Sequence, residues 1–418
     1  MLLQLYFRIL KHMSDTLTSI IENDLCHGCG ACAAVTNGRI AMKLNQAGFL
    51  RPVAARPLSE EDDAAVEAVC SGLTLQHHSG GEAIHPIWGP LVTVRTGFSN
   101  DEQIRFAGSS GGVISAVAAY LIESGTVDFV LQVGADPMDP FGSVAETSRS
   151  RVDVISSAGS RYGPSAPLAN LEQHLATGLR FAVVGKPCDI ASLRRMAIRD
   201  PRVNQQVPYM IAFMCAGVPS RKGALAVASA MGAMPEEVER FAFRGEGWPG
   251  SARAHLRDGR TLRMDYATSW GTILNRSLQF RCKICPDGTG EFADIVCADA
   301  WYGRDGYPDF DERPGRSLLI TRTDRGEHLV QAIASKNAVT VEGLDVAEIE
   351  RMQPYQADRK RMLLARLFGI SLAFRRIPRY RNMGLVRATI SAKPISLLRN
   401  ALGSFRRSRV VGIKNASI

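Results

Sequence analysis

The helical period is clearest in "SSGGVISAVAAYLIESG", where apolar residues fall at 113, 114, 116, 117, 120 and 121. That spacing lines one face of a 3.6-residue repeat and predicts a helix, capped by Ser109 or Ser110 and ended by Gly125. The apolar run "VDFVLQVG" follows at once. Farther on come "FAVVG", "KPCDIASLRRM", "YMIAFMC" and "AGVPSRKGALAVASAMG". Unbroken apolar runs alternating with helical segments predict strands buried on both faces. The fold class expected is therefore α/β, with a mainly parallel or mixed sheet covered by helices. "ARAHLRDGRTLRM" alternates around Asp258-Gly259 and predicts a hairpin. Near the C-terminus, "RKRMLLARLFGISLAFRRIPRYR" sets Leu363, Leu364, Leu367, Ile370 and Phe374 near one helical face. That face is expected to pack on the body and leave Arg375, Arg376, Arg379 and Arg381 pointing outward.

The chain has 418 residues, 45% of them apolar, enough for two or three domains with real cores. No run approaches the ~18 apolar residues of a membrane span. The opening "MLLQLYFRIL" lacks a basic leader and a small-residue cleavage site, and reads as an extension or a start misplaced before Met13. A cytoplasmic location is expected, with the cysteines reduced and available as ligands. The formal charge of +9 is uneven: residues 355–418 carry +14 and the remainder −5. Such a tail suits an acidic partner or an anionic surface, or is simply a solvated helical face.

Nine cysteines stand at 26, 29, 32, 70, 188, 215, 282, 285 and 297. Cys26, Cys29 and Cys32 form a C-x2-C-x2-C triplet, which suits a cubane cluster reached by one short loop. Zinc more often takes a pair from each of two knuckles. Gly28 and Gly30 allow the loop to wrap closely. A ferredoxin-type run would place its fourth cysteine where Thr36 stands, so Cys70 is the near candidate to complete the set. Cys188 and Cys215 each lie just past the end of a predicted buried strand, where an open α/β sheet builds its functional crevice. With the pair Cys282 and Cys285, before Pro286, they make four ligands for a second cluster. Cys297 is left over and is expected to be a small buried residue.

"CHGCGACAAV", "SSGGVISAVAAYLIESGTVDFVL", "GSRYGPS", "GKPCDIASLRRM" and "FRCKICPDGTGEFADIVCADAW" together resemble the family of coenzyme F420 hydrogenase/dehydrogenase beta subunits, whose relatives include ferredoxin-dependent reductases of chlorophyll metabolism. The resemblance covers about residues 18–330 in order, which makes it more specific than any single motif. It implies FAD, one or two [4Fe–4S] clusters, and electron exchange with a deazaflavin, a ferredoxin or a reducible substrate. The family usually has Cys-Pro-Gly where this chain has Cys70-Ser71-Gly72, and a small residue where Cys297 stands. Ser109, Ser110, Gly111 and Gly112 match the family's flavin-contacting turn, and a helix start favours anionic groups. The plainer alternative is an ordinary capped helix. Arg161 and Tyr162 match a segment near the flavin. There Arg161 could hold a phosphate and Tyr162 could stack or hydrogen-bond, or both could be structural. Lys186, beside Cys188, is expected near flavin or cluster, where a cation favours the reduced state.

The organisation expected is an N-terminal [4Fe–4S] segment at 18–90, a flavin-binding domain at 91–175, a domain carrying the second iron–sulfur site at 176–335, and a basic helical tail at 336–418. The function expected is an oxidoreductase passing electrons between a ferredoxin-like donor or coenzyme F420 and a small-molecule substrate through FAD, with two [4Fe–4S] clusters feeding single electrons. His77, His78 and Asp299 are candidate proton donors, and the sequence selects none. The other class is a non-catalytic zinc-binding protein with a nucleic-acid-binding tail. Tyr355, Phe368, Phe374, Tyr380 and Phe405 are scattered rather than interleaved for base stacking, so no nucleic acid partner is expected.

Overall fold

The computed structural model describes residues 15–77, 84–304 and 307–415. The opening segment with Met13, and His78, lie outside them. Eight strands form the principal sheet: β1 Thr93–Ser99, β2 Phe129–Ala135, β3 Ser143–Ser148, β4 Phe181–Gly185, β5 Met210–Phe213, β6 Ile295–Asp299, β7 Ser317–Thr321 and β8 Val339–Gly343. Their spatial order is β8-β1-β7-β6-β5-β4-β2-β3. The central four, β2, β4, β5 and β6, run parallel. The flanking strands are antiparallel, so the sheet is mixed, as expected for its class.

The alternation of a strand explains the two cores. Leu131, Val183, Ala212, Val296, Leu318 and Ile320 point to one face, where they meet Ile190 and Leu193 of the helix Pro187–Arg199 and the N-terminal Cys29, Ala31 and Val69. Their neighbours Val130, Ala182, Val184, Ile211, Ile295 and Leu319 point to the other, against Val117 and Leu121 of the helix Val113–Glu123 and Leu329 and Ile333 of the helix Asp324–Ser335. Each fully buried aliphatic side chain stabilises the fold by about 1.5–3 kcal/mol. Cys297 belongs to this second core and is 4% exposed. The hairpin around Asp258-Gly259 is present, Ser251–Leu256 pairing with Thr261–Asp265.

Two local expectations need correction. The helix at Val113 is capped by Gly112 in the left-handed region (φ 74°), with no side-chain cap. The serines serve other partners: Ser109 Oγ lies 2.6 Å from Ser160 Oγ, and Ser110 Oγ donates to the carbonyl of Arg316 at 3.0 Å. Within the tail, the helical face expected to run on to Phe374 is cut short. Helices Pro354–Arg361 and Leu363–Ser371 give way to a loop and a strand, Arg379–Arg381. Leu363, Leu367 and Ile370 pack inward, but Phe374 is 99% exposed, with φ 56°. Pro378 disfavours helix in the residue before it, which helps keep this segment open. Arg375 and Arg376 are turned to the N-terminal helix Asp15–Glu22. Arg375 donates to the Glu22 carbonyl, and Arg376 Nη1 to Ser19 Oγ at 2.8 Å. Arg379 and Arg381 remain exposed.

Candidate redox site

The sheet register sets the second group of cysteines. Gly185 of β4 pairs with Ala212 of β5, so Cys188 and Cys215, each three residues farther on, leave the sheet at one level. Cys188 enters the helix Pro187–Arg199 while Cys215 runs into a loop, its N–H donating to the Gly288 carbonyl at 2.8 Å. The short helix Phe280–Lys283 brings Cys282, with Cys285 just after it. All four line one pocket with His27, Ser71, Leu75, Val218, Arg281 and Arg359. The Val218 N–H donates to Cys282 Sγ at 3.3 Å, a bond to sulfur of the kind that tunes cluster potentials.

The first group gathers where the N-terminal loop meets the end of the helix Glu60–Val69. Gly28 and Gly30 both have positive φ. A Cβ on Gly30 would lie 2.6 Å from the Ala169 nitrogen, so the loop can seat only with glycine there. Cys70 ends its helix. Gly72 then crosses the Leu25 carbonyl so closely that a Cβ would lie 2.4 Å from that oxygen, which brings Cys70 against Cys26. Burial first, and then the charges of Cys29, Cys26 and Cys70, pushes the Cys32 thiol well above its usual range. Burial likewise pushes Cys29 and Cys215 up to about 12. Thr36 is no part of this group, since its hydroxyl donates to the Cys32 carbonyl at 2.8 Å.

The two groups share a wall. Ser71, after Cys70, and His27, after Cys26, both line the pocket of the second group. The Ser71 hydroxyl meets His27 Nε2 at 2.8 Å, Ser192 Oγ at 2.7 Å and the Cys188 carbonyl at 3.0 Å. Lys186 stands at the same junction. Its Nζ is 2.7 and 2.9 Å from the two Asp189 oxygens. Burial alone would lower its pKa, but Asp189 and Cys188, and more weakly Cys29, raise it.

Two cations here escaped the sequence reading. Arg281 and Arg359 are 2% and 3% exposed. Arg281 donates to the carbonyls of Ile284 and Ser71, both at 3.2 Å. Arg359 donates to the Cys215 carbonyl at 2.7 Å. Neither forms an ion pair with a carboxylate among the described residues. Burial opposes the charge of each, yet Tyr380 beside Arg281, Tyr355 beside Arg359, and the surrounding thiols raise both pKa values. A buried cation without a counter-ion is costly, and a cluster on four thiolates would supply the missing negative charge. Arg281 had a local signal, being adjacent to Cys282. Arg359 had none, because it arrives from the tail.

Around the Ser109–Gly112 turn, the glycines answer to packing within the protein. A Cβ on Gly111 would lie 2.6 Å from the Gly97 oxygen, and one on Gly112 2.9 Å from Arg105 Cα. Gly159 and Gly245 approach the same Ala107 carbonyl. Beside them, Arg244 forms a double ion pair with Asp299 at 2.8 and 2.9 Å and lies over the rings of Tyr266 and Trp301. Trp248 stacks on Trp301 and donates to Asp299 at 2.7 Å. Tyr162 packs on Trp270 at the edge of this group and receives a long contact from Arg244 at 3.5 Å. Arg161 faces elsewhere, donating to the carbonyls of Phe241 (3.0 Å) and Gly142, so it ties down the strand Val238–Ala242, which pairs with the hairpin strand Ser251–Leu256. Both Asp299 oxygens are engaged by Arg244 and Trp248. His77, a candidate proton donor, is buried, stacked on Phe292 and bonded to Glu291 at 3.0 Å.

Comparison with known proteins places the chain in a family. Two family models match: "Coenzyme F420 hydrogenase/dehydrogenase, beta subunit N-term" over residues 94–172, and the model for the C terminus of the same protein over 178–347. The chain belongs to the family of coenzyme F420 hydrogenase/dehydrogenase beta subunits. Among its relatives, the coenzyme F420-dependent sulfite reductase of Methanocaldococcus jannaschii is 27% identical over 267 residues, 60% of this chain and 38% of the relative. One component of the F(420)H(2) dehydrogenase of Methanosarcina mazei is 27% identical over 49% of this chain and 56% of the relative. The chain thus spans about half or less of the length of these relatives. In fold it is similar to a chain of the F420-reducing [NiFe] hydrogenase complex from Methanosarcina barkeri, with TM-score 0.50, 19% identity, and coverage of 66% of this chain and 95% of that one. Among the described residues, no helix is long and apolar enough to cross a membrane.

Proposed function

We propose that the chain is a flavin- and iron–sulfur-dependent oxidoreductase that passes electrons between coenzyme F420, or a ferredoxin-like one-electron donor, and a small-molecule substrate, in a reducing cytoplasm. The observation that carries this reading is the convergence of Cys188, Cys215, Cys282 and Cys285 from three segments onto one pocket with two buried arginines that have no carboxylate partner among the described residues. Cys26, Cys29, Cys32 and Cys70 would hold one [4Fe–4S] cluster and the later four the other. As the family resemblance implies, FAD would sit beside the Ser109–Gly112 turn, next to Tyr162 and the Arg244–Asp299 pair. When bound, FAD exchanges electron pairs and the clusters carry single electrons, which links a deazaflavin to a one-electron partner.

The chain's own residues prepare this site. Arg281, Arg359 and the Lys186–Asp189 pair set the charge around the thiols. The buried Leu75 and Val218 and the half-buried Tyr380 side chain would limit water. Ser71 and His27 fix the distance between the two groups. The zinc reading is less well supported, because zinc usually takes a cysteine pair from each of two knuckles, whereas Cys26, Cys29 and Cys32 form one tight triplet.

The test is anaerobic purification followed by absorption spectroscopy and reduction with reduced coenzyme F420 or a reduced ferredoxin. A flavin spectrum over broad iron–sulfur absorption, bleached by at least one of the two reductants, is expected. Colourless protein that contains zinc would reject the proposal.

A further inference from the structure

The matched family models end at residue 347, yet the tail beyond it reaches both cysteine groups. Its strand Arg379–Arg381 runs parallel to Thr74–Gln76, with Tyr380 opposite Leu75. The Arg379 N–H donates to the Leu73 carbonyl at 2.8 Å, three residues from Cys70. The Tyr380 hydroxyl donates to the Ile284 carbonyl at 2.7 Å, between Cys282 and Cys285. Side chains alternate along a strand. With Tyr380 turned in, Arg379 and Arg381 turn out, and both are exposed. Neither makes a side-chain hydrogen bond or ion pair among the described residues. In the segment leading into this strand, Phe374 is 99% and Ile377 39% exposed, and Arg376 is exposed as well. The segment thus presents exposed apolar and cationic side chains on the outside of a strand whose inner side chain, Tyr380, reaches the cysteine-bearing segments.

We propose that this face docks a small acidic one-electron carrier protein. The inference rests on the redox reading above. Three features favour such a carrier over other anionic partners. The face adjoins both cysteine groups, so a carrier seated there has a short path for its electron. It offers a large exposed aromatic, Phe374, in the same short segment as exposed arginines, the residue types enriched at protein interfaces. The tail as a whole is strongly cationic, which speeds encounter with an acidic protein. Each encounter moves one electron: the carrier is oxidised by one, the chain is reduced by one, and no bond or proton changes hands.

The probe is a reduced plant-type [2Fe–2S] ferredoxin, with the full chain purified anaerobically. Binding is measured by calorimetry and electron transfer by stopped flow, at two ionic strengths. The Arg379→Gln/Arg381→Gln variant and Phe374→Ser change exposed side chains only. Each is expected to weaken binding by ~10-fold or more at low salt, and the double variant to flatten the salt dependence, since screening acts over roughly 8 Å at physiological salt. Reduction by a small neutral dye should be unchanged. Equal ferredoxin affinity for wild type and both variants, in protein that holds iron, overturns the docking face and leaves the redox reading standing. So does loss of binding to phosphatidylglycerol vesicles in the variants with ferredoxin binding intact, which assigns the face to a membrane surface. Protein without iron overturns the redox reading, and the docking face with it.

Discussion

The Ser71 hydroxyl lies 2.8 Å from His27 Nε2, joining the residue after Cys70 to the residue after Cys26 inside the wall between the two cysteine groups. Ser71 is fully buried and also meets Ser192 and the Cys188 carbonyl. His27 Nδ1 already lacks a partner among the described residues. Ser71→Ala would leave a second imidazole nitrogen unsatisfied. A loss of about 1–3 kcal/mol in anaerobic denaturant unfolding is expected, with iron content preserved. Unchanged stability would mean that the serine does not brace the wall.

The division of the cysteines can be read one variant at a time. Cys70→Ala should lose the N-terminal cluster and keep flavin. Cys188→Ala or Cys285→Ala should lose the other cluster. Cys297→Ala, in the apolar core, should keep both at a packing cost of at most ~2 kcal/mol. Electron paramagnetic resonance of the reduced protein distinguishes these outcomes. A cluster lost with Cys297 and kept without Cys70 would refute the division.

Arg359 gives a prediction about potential. A buried cation stabilises the more negative, reduced state of a nearby redox centre. Arg359→Gln should therefore shift the second cluster to a lower potential and leave the first little changed. Potentiometric titration followed by paramagnetic resonance checks this. An unshifted second cluster would place the charge of Arg359 outside its influence.

Acid stability should report on Glu327, which Arg95 grips at 2.6 and 2.8 Å. Hydrogen bonds from Arg95, Thr93, Thr321 and Gln331 outweigh the burial penalty and hold its pKa far below the usual carboxylate range. A depressed carboxylate adds stability that is present above its unfolded pKa of about 4.3 and is lost as pH falls toward the folded value. Glu327→Gln should cost about 1–3 kcal/mol at neutral pH and flatten the loss below about pH 4. Parallel unfolding curves for both proteins from neutral to acid would contradict it.

What was legible in the sequence was local. The strands at Phe129, Phe181 and Met210 announced themselves as apolar runs, and the cysteine triplet and the Cys282/Cys285 pair by spacing. Even the common level of Cys188 and Cys215 followed from their equal distance past two strands. What was hidden depends on residues far apart meeting. Arg359 reaches the second group from 144 positions beyond Cys215, and Ser71 meets Ser192 across 121. The helical period near Leu363 was real, but it carried no sign that the chain would turn at Phe374 and return as a strand beside Leu75. The glycines of the Ser109–Gly112 turn suggested room for a ligand, while strand packing already accounts for Gly111.

The most direct measurement is the iron and acid-labile sulfide content of anaerobically reconstituted protein, alongside its zinc and flavin content. The two cysteine groups predict roughly eight irons and eight sulfides per chain, with flavin bound. Zinc in place of iron, or no more than four irons after full reconstitution, would contradict the two-cluster account.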